Sequence, residues 1–373
     1  MKQPGIALIL SGFPRRSETF ALNETLALAR RGLLAGLFAT KPGDNLPPQP
    51  GSQALLDKVY YLPDRASAAE QASQVVQQLA GRTVMGVHAY FAHVPTDVAM
   101  LVAERLGVPF GMSAHAKDIR KVSPAALAAR VTKAAYVVAC NSDTAQEIRN
   151  AGGQPHLLPH GVDLEHFQPQ PLPPHAVTRL LAVGRLVEKK GFHVLIRAAS
   201  QLTIPFHLRI VGDGPLRAEL MNAIHTAGLA RQVELCGGMT HDELAVEYAN
   251  AHIVVVPSVV DSSGDRDGLP NVVLEAMASG RMVMASNVAA ISSAVEPGQT
   301  GFLLRPGDDT ALARALNFMG QRPQLYAELG RNARHLVEHT YDLLCCTERF
   351  CDFVADAFMS ARHKTGLRGY RVW

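Results

Sequence analysis

A chain of 373 residues with 47% apolar and 18% charged side chains can bury a large core, and at ~150 residues per domain it divides more naturally into two domains than one. Its 36 Lys and Arg against 33 Asp and Glu leave a net charge of +3, and with a single Trp and no dense basic block this excludes a dedicated nucleic-acid binder. The apolar residues fall in short runs that rule out disorder or a fibrous repeat, and none approaches the ~20 residues that span a bilayer. Ile6 to Leu10 is too short for the apolar segment of a secretory signal. Cys140, Cys236, Cys345, Cys346 and Cys351 form no C-x-x-C pair, their odd number speaks against a disulfide framework, and the cytosol is the expected compartment.

Apolar runs alternate with amphipathic stretches from the start. IALIL is followed by a helical pattern over Glu18–Arg31, then LLAGLFAT, TVMGVHAYFA and AAYVVAC, which reads as repeated βα units on a buried parallel sheet. The alternation pauses at QPQPLPPH, where Pro169, Pro171, Pro173 and Pro174 forbid a helix interior and favour an extended connector. It restarts with TRLLAVGRL, a helix near Phe192–Leu202, HLRIVGDG, a helix over Pro215–Ala227, VELCGG, HIVVVPS and a helix from about Pro270 to Ser279. The expected division is therefore a first doubly wound α/β domain over 1–168, a linker at 169–175, a second over 176–340, and a C-terminal helix and tail over 341–373 that packs back on the first. Two such domains are expected to face a central cleft, with ligands beyond the carboxyl ends of the strands.

Four segments carry groups suited to chemistry there. In GRLVEKKGFHVLIRAA, Gly184 permits a tight turn, and Arg185 and Lys190 place two cations on the loop entering a helix, as a diphosphate would require; a solvated turn of Glu188, Lys189 and Lys190 explains the same residues. VGDGPL, with Gly212 and Gly214, opens like a dinucleotide fingerprint, but Arg217 stands where the third glycine belongs, leaving a tight turn with Pro215 at the first position of a helix. In DSSGDRDGLPNVVLEAMASG, Asp267 and Glu275 flank Gly268 and Pro270. A helix N-terminus at Asn271 and Val272 attracts phosphate, and a carboxylate can accept two hydrogen bonds from a ribose diol; everyday capping by Asp267 and dipole complementation by Glu275 is the alternative. Asp265-Arg266-Asp267 also spells Asp-x-Asp, a possible metal pair, although Arg185 and Lys190 already supply neutralising charge and no metal is expected. In the first half, Ser17 would cap the helix from Glu18, with Arg15 and Arg16 beside it, and SAHAKDIR places His115 after an apolar stretch, able to bond a sugar hydroxyl or to be an ordinary polar loop residue. His88, His93 and His160 lack zinc spacing.

Taken together, GRLVEKKGFHVLIRA, IVGDGPLRAEL, DGLPNVVLEAMASG and LLPHGVDLEHF, with FPRRSETF and SAHAKDI, resemble glycosyltransferase family 4, retaining nucleotide-sugar transferases of the GT-B-type fold, over nearly the whole chain. SETF and HAKDI are most similar to the subgroup building bacterial envelope and exopolysaccharide sugars. The resemblance implies Arg185 and Lys190 on the donor diphosphate, Glu275 on the ribose hydroxyls, His115 on the donor sugar near the reacting carbon, and glycines with free N–H groups at the start of the Pro270 helix completing the phosphate cradle. It further implies hexosyl transfer to a glycan, lipid-linked or small-molecule acceptor. Asp267 stands where the family usually has Glu, one methylene shorter, and the first-strand loop has Phe13, Pro14, Arg15 and Arg16 in place of paired glycines.

Negative charge would develop on the leaving phosphate, so fixed cations are the natural catalyst. Without an obvious nucleophile, entry of the acceptor from the leaving-group face is the favoured retaining route. A phosphorylase or epimerase of the same architecture, or a non-catalytic nucleotide-binding subunit, remains the alternative. The +3 excess lies wholly within residues 1–168, which hold 16 basic and 13 acidic side chains, and includes the run Lys117, Arg120, Lys121, Arg130 and Lys133. That run suits peripheral contact with an anionic membrane, or solubility alone.

Overall fold

The computed structural model describes residues 4–15, 18–44, 49, 51–365 and 370–371. Arg16 and Ser17 lie outside them, as does most of the C-terminal tail; the first helix runs Thr19–Arg30, with Glu18 at its N-cap and no side-chain cap bond.

Two compact units emerge, residues 1–160 with 345–373, and residues 161–344. The first contains strands β1 (Gly5–Leu10), β2 (Leu34–Ala39), β3 (Val59–Tyr61), β4 (Thr83–Tyr90), β5 (Phe110–Ala114), β6 (Tyr136–Ala139) and β7 (Pro155–Leu157). The second contains β8 (Thr178–Val183), β9 (Phe206–Val211), β10 (Val233–Gly237), β11 (Ile253–Val256), β12 (Met282–Ser286) and β13 (Gly301–Leu304), and β14 (Tyr370–Arg371) returns to the first sheet. The sheet orders are β3-β2-β1-β4-β5-β6-β7, with antiparallel β14 beside β4, and β10-β9-β8-β11-β12-β13. Every pairing among β1–β13 is parallel. Each sheet thus reverses its order once, between β1 and β4 and between β8 and β11, as in the doubly wound dinucleotide-binding sheet.

Burial of both sheet faces explains the near-continuous apolar strands. Along β1, Ala7 and Ile9 enter one core while Ile6, Leu8 and Leu10 enter another; along β11, Ile253 and Val255 face one core, Val254 and Val256 the other. The period of two sends alternate side chains to opposite faces, so each unit is a helix–sheet–helix sandwich.

The proline-rich stretch 169–175 is no linker between these units. It lies inside the second: Leu172 packs on its core, the Pro173 carbonyl contacts His252 Nε2 at 2.9 Å, and Arg281, buried, donates to the carbonyl of Gln170 at 2.9 Å. Proline lacks an N–H but its stretch keeps its carbonyls, and the second unit uses those of Gln170 and Pro173. Its residues Val162 and Phe167 are likewise core members. The helix Leu343–Thr365 carries Phe350, Cys351, Val354 and Phe358 into the core of the first unit, where Phe358 lies against Gly86 of β4.

Because Phe358 is fully buried, Phe358→Ala should lower the unfolding free energy of the full chain by about 3–5 kcal/mol. Urea unfolding followed by circular dichroism checks this, and a loss below about 1 kcal/mol would show that the helix is not part of the core.

Candidate functional site

In the second unit the loops leaving β8 and β11 meet at the switch point. After β8 the chain turns at Gly184, passes Arg185, and forms a short 3-10 turn over Glu188–Lys190. Lys189 is buried, and its Nζ lies 3.1 Å from Asp265 Oδ2 and 3.2 Å from Asp267 Oδ1. Lys190 Nζ lies 2.7 Å from Asp267 Oδ2, and the Ser258 hydroxyl donates to the same oxygen at 3.4 Å. Two lysines of one loop therefore hold two aspartates of the other. Burial alone would raise the Asp267 pKa, but Lys190 and Lys189 outweigh it and hold the carboxylate below its usual range.

The loops are further joined by the Glu188 carboxylate, which accepts from the Ser262 amide at 3.0 Å and its hydroxyl at 2.8 Å, and by the Val259 amide, which donates to the Lys189 carbonyl at 2.9 Å. Gly191, at φ +66°, leaves room for the Pro257 carbonyl, which any Cβ there would overlap. Gly212 and Gly214 serve an equivalent purpose beside the β8 loop: a Cβ on either would strike the carbonyls of Gly184 and Leu186. The helix after them runs Arg217–Thr226 with Leu216 at its N-cap, so Pro215 precedes it and does not occupy its first position.

The helix Asn271–Ala278 has Pro270 at its N-cap and no side-chain cap, so Asp267, engaged by lysines, is not its cap. Asn271 and Val272 form its first turn, with Gly268 just before it. Glu275 is buried on its inner face, where Oε2 accepts from the Tyr248 hydroxyl at 2.8 Å. Burial raises the Glu275 pKa, against the pull of Tyr248, His166 and Lys190. Arg185 is exposed and makes no ion pair among the described residues.

His115 belongs to the first unit, immediately beyond β5. Asp118, fully within the protein, fixes its loop by accepting from the amides of Ala92 and His115, the latter at 2.6 Å; burial, opposed by these bonds, raises its pKa to about 7. His115 is not alone. Its Nε2 lies 3.0 Å from Nε2 of His160, whose Nδ1 lies 2.9 Å from Glu24 Oε1; Tyr90 donates to the other Glu24 oxygen. Phe20 stacks on His160 and lies tilted against His115, with ring centroids 4.4 Å away in both cases. Among the described residues, His115, Cys140 and His160 form a group whose ligand-type atoms lie within 4.8 Å of one another. His88, by contrast, is a core histidine bonded to Tyr136 and Ser113, and burial lowers its pKa to about 3.

Two members of the expected basic face, Arg120 and Arg130, are neutralised. Arg120 pairs with Asp143 at 3.3 Å and Glu147 at 3.0 Å, and Arg130 pairs with Asp97 at 2.7 Å; the Lys117 side chain lies outside the described residues. No helix among the described residues is long and apolar enough to cross a membrane.

Residues 165–336, which contain the whole lysine–aspartate cluster and Glu275, match the profile of the family described as glycosyl transferases group 1. A D-inositol 3-phosphate glycosyltransferase of Streptomyces scabiei is 30% identical over 317 residues, 74% of this chain and 67% of that protein. The chain belongs to this family. It is also similar to WcaL of Escherichia coli, named for colanic acid biosynthesis, at 34% identity over 187 residues, and to the amylovoran biosynthesis glycosyltransferase AmsK of Erwinia amylovora, at 36% over 150 residues. Those matches take in 49% and 39% of this chain and span less than half the length of either relative, 46% and 37%. Anabaena Alr3699/HepE, solved in complex with UDP, shares the fold with a TM-score of 0.79 at 20% identity, over 95% of this chain and all of that one. Sucrose-phosphate synthase of Thermosynechococcus elongatus does so at 0.76 and 23%, over 96% of this chain and all of that one.

Replacing Lys189 with Met removes the buried cation shared by Asp265 and Asp267, while Lys190 stays on Asp267, and should cost about 3–5 kcal/mol of stability, measurable by urea unfolding at pH 7. Since the folded pKa of Asp267 is depressed, its contribution is complete above the unfolded value of ~3.9 and is lost as pH falls toward the folded one. Asp267→Asn should consequently flatten the decline of stability below pH ~4; a decline as steep as that of the unaltered chain would refute the assignment.

Proposed function

We propose that the chain is a retaining, nucleotide-sugar-dependent hexosyltransferase acting in the assembly of bacterial envelope or extracellular polysaccharide. The observation that carries this is the lysine–aspartate cluster at the switch point of the second sheet, followed in sequence by the uncapped helix Asn271–Ala278 and the buried carboxylate of Glu275. Ligands of doubly wound sheets bind at such points. The names of the similar glycosyltransferases, and the UDP held by the Anabaena protein of the same fold, point the same way.

In this reading Arg185 and Lys190 meet the donor diphosphate. With Lys189, Asp265 and Asp267 included, these groups carry one net positive charge, held in place before substrate arrives. As the glycosidic bond breaks, charge accumulates on the leaving phosphate, and preorganised donors stabilise it without reorganising. The helix N-terminus, with Gly268 before it, adds N–H groups of the same sign. Glu275 accepts from the ribose hydroxyls, its Tyr248 partner holding the carboxylate in one orientation. His115 bonds the donor sugar. Gly184, Gly212 and Gly214 let the loops of the cradle approach one another closely.

Asp267 is poorly suited to attack the anomeric carbon, because both of its oxygens are engaged by lysine ammonium groups. This favours entry of the acceptor hydroxyl from the leaving-group face, with the departing phosphate taking its proton. The same ion pairs support a reaction that needs no divalent metal, since Asp265 and Asp267 already have cationic partners. The acceptor is a glycan, a lipid-linked sugar or a small molecule. Of the basic run, Lys121 and Lys133 are exposed, so contact with an anionic membrane would rest on them. Co-sedimentation with acidic and neutral vesicles tests it, and equal recovery on both would place the acceptor in solution.

Arg185→Ala and Lys190→Ala should each lower kcat/KM by a factor of about 30–1000, as when one donor to a developing anion is lost. Release of nucleoside diphosphate in the presence of acceptor is the readout, and unchanged turnover in either variant would overturn the diphosphate assignment. Turnover should also persist in EDTA; its loss, restored by magnesium or manganese, would turn the assignment of Asp265 and Asp267 toward a metal.

A further inference from the structure

Three segments singled out by sequence, SETF, HAKDI and LLPHGVD, supply Phe20, His115 and His160 to one cluster of the first unit, to which the following helical turn adds Glu24. Nothing in the reading above accounts for Glu24 or His160. Their contacts form a chain: Tyr90 hydroxyl to Glu24, Glu24 to His160 Nδ1, His160 Nε2 to His115 Nε2. A contact between two imidazole nitrogens holds a single hydrogen, so one ring donates and the other accepts.

We propose that Glu24 and His160 are positioning residues for His115: Glu24 holds His160 as an imidazolium, the shared hydrogen belongs to His160, and His115 is fixed as the neutral tautomer whose Nδ1 carries the remaining hydrogen. This rests on the assignment of His115 to the donor sugar and says what His115 offers it: one N–H donor for a sugar oxygen, with no charge.

The surroundings distribute charge in that sense. Burial pulls the pKa of His160 down, but the Glu24 carboxylate and the Cys140 thiol outweigh it and hold the imidazole at about 10. Burial, reinforced by the nearby imidazoles of His160 and His88, pushes His115 well below the usual histidine range. The remaining groups facing the pair are the aromatic rings of Phe20, Tyr90 and Phe91. Nδ1 of His115 is buried with no hydrogen-bond partner, and the nearby Asp118 amide donates to the His115 carbonyl. A buried N–H without an acceptor is costly, and an oxygen of a bound ligand would relieve that cost. The same fact disfavours reading His115, Cys140 and His160 as a metal site. A metal-binding histidine normally finds an acceptor for its other nitrogen, and His160 would have to surrender a proton that Glu24 stabilises.

The test is the protonation state of the rings in the full chain, EDTA-treated and labelled with 15N-histidine, read from long-range 1H–15N spectra at pH 7. His115→Gln and His160→Gln assign the signals. The expected result is two protonated nitrogens on His160 and, on His115, a protonated Nδ1 with a bare Nε2. A neutral His160, a bare Nδ1 on His115, or ring signals that reach this pattern only on addition of zinc would overturn the proposal. In Glu24→Gln the imidazolium signature should vanish and kcat should fall about 10- to 100-fold with a smaller change in donor KM, while Glu24→Asp restores part of both; an imidazolium that survives in Glu24→Gln also overturns it. The expected ring pattern in a chain that transfers no sugar would support the positioning and refute the functional reading instead.

Discussion

The second unit depends on the insertion of Lys189 between Asp265 and Asp267, with Lys190 closing on the far oxygen of Asp267. Drawing four charges partly out of water, with Lys189 buried, is expensive, and the attraction between them offsets that expense only while all are present in good geometry. The arrangement is therefore all-or-nothing, and other features of the two loops serve it. Gly191 allows the lysine loop to pass under the Pro257 carbonyl, Glu188 ties Ser262 from the opposite side, and the glycines after β9 let a third loop rest against the first. A cluster locked in this way presents fixed charge to a ligand, and fixed charge is what an electrostatic catalyst requires.

The architecture was legible in the sequence because parallel strands buried on both faces leave a plain signature of short apolar runs between amphipathic ones. The runs at IALIL, TVMGVHAYFA, TRLLAV and HIVVV all became central strands. The edge strands β3 and β7 left a weaker signal: with three residues each, largely at the surface, they carry no apolar run as long as those of the central strands. The proline-rich stretch misled for a related reason. Four prolines within six residues state that the backbone is extended and short of donors, but not where its carbonyls go, and here they bind the second unit.

The candidate site was legible in part. Lys190, Asp267 and Glu275 stood out through their loops, whereas Lys189 reads in sequence as one more surface lysine and only the fold shows it buried between carboxylates. Arg120 and Arg130 erred in the opposite direction: a basic run predicts a charged face, yet both partners of each pair are needed to know its field, and Asp97, Asp143 and Glu147 come from other helices. The Glu24–His160 pair joins residues 136 apart in the chain, so no local spacing could announce it. What could have pointed to it was the position of His160 inside LLPHGVD and of Glu24 one helical turn beyond SETF, two motifs already singled out for other reasons.

The return of the C-terminal helix to the first unit has a consequence for how the protein is made. A ribosome delivers residues 1–160 first, but Phe350, Val354 and Phe358, which complete one of that unit's two cores, emerge last. Until then Ile6, Leu8 and Met85 lack part of their cover, whereas residues 161–344 are contiguous and hold all they need once synthesised. The order of synthesis and the order of completion are thus inverted, and the nascent chain carries an unfinished apolar sheet face throughout the translation of the second unit, the kind of exposure that chaperones attend to.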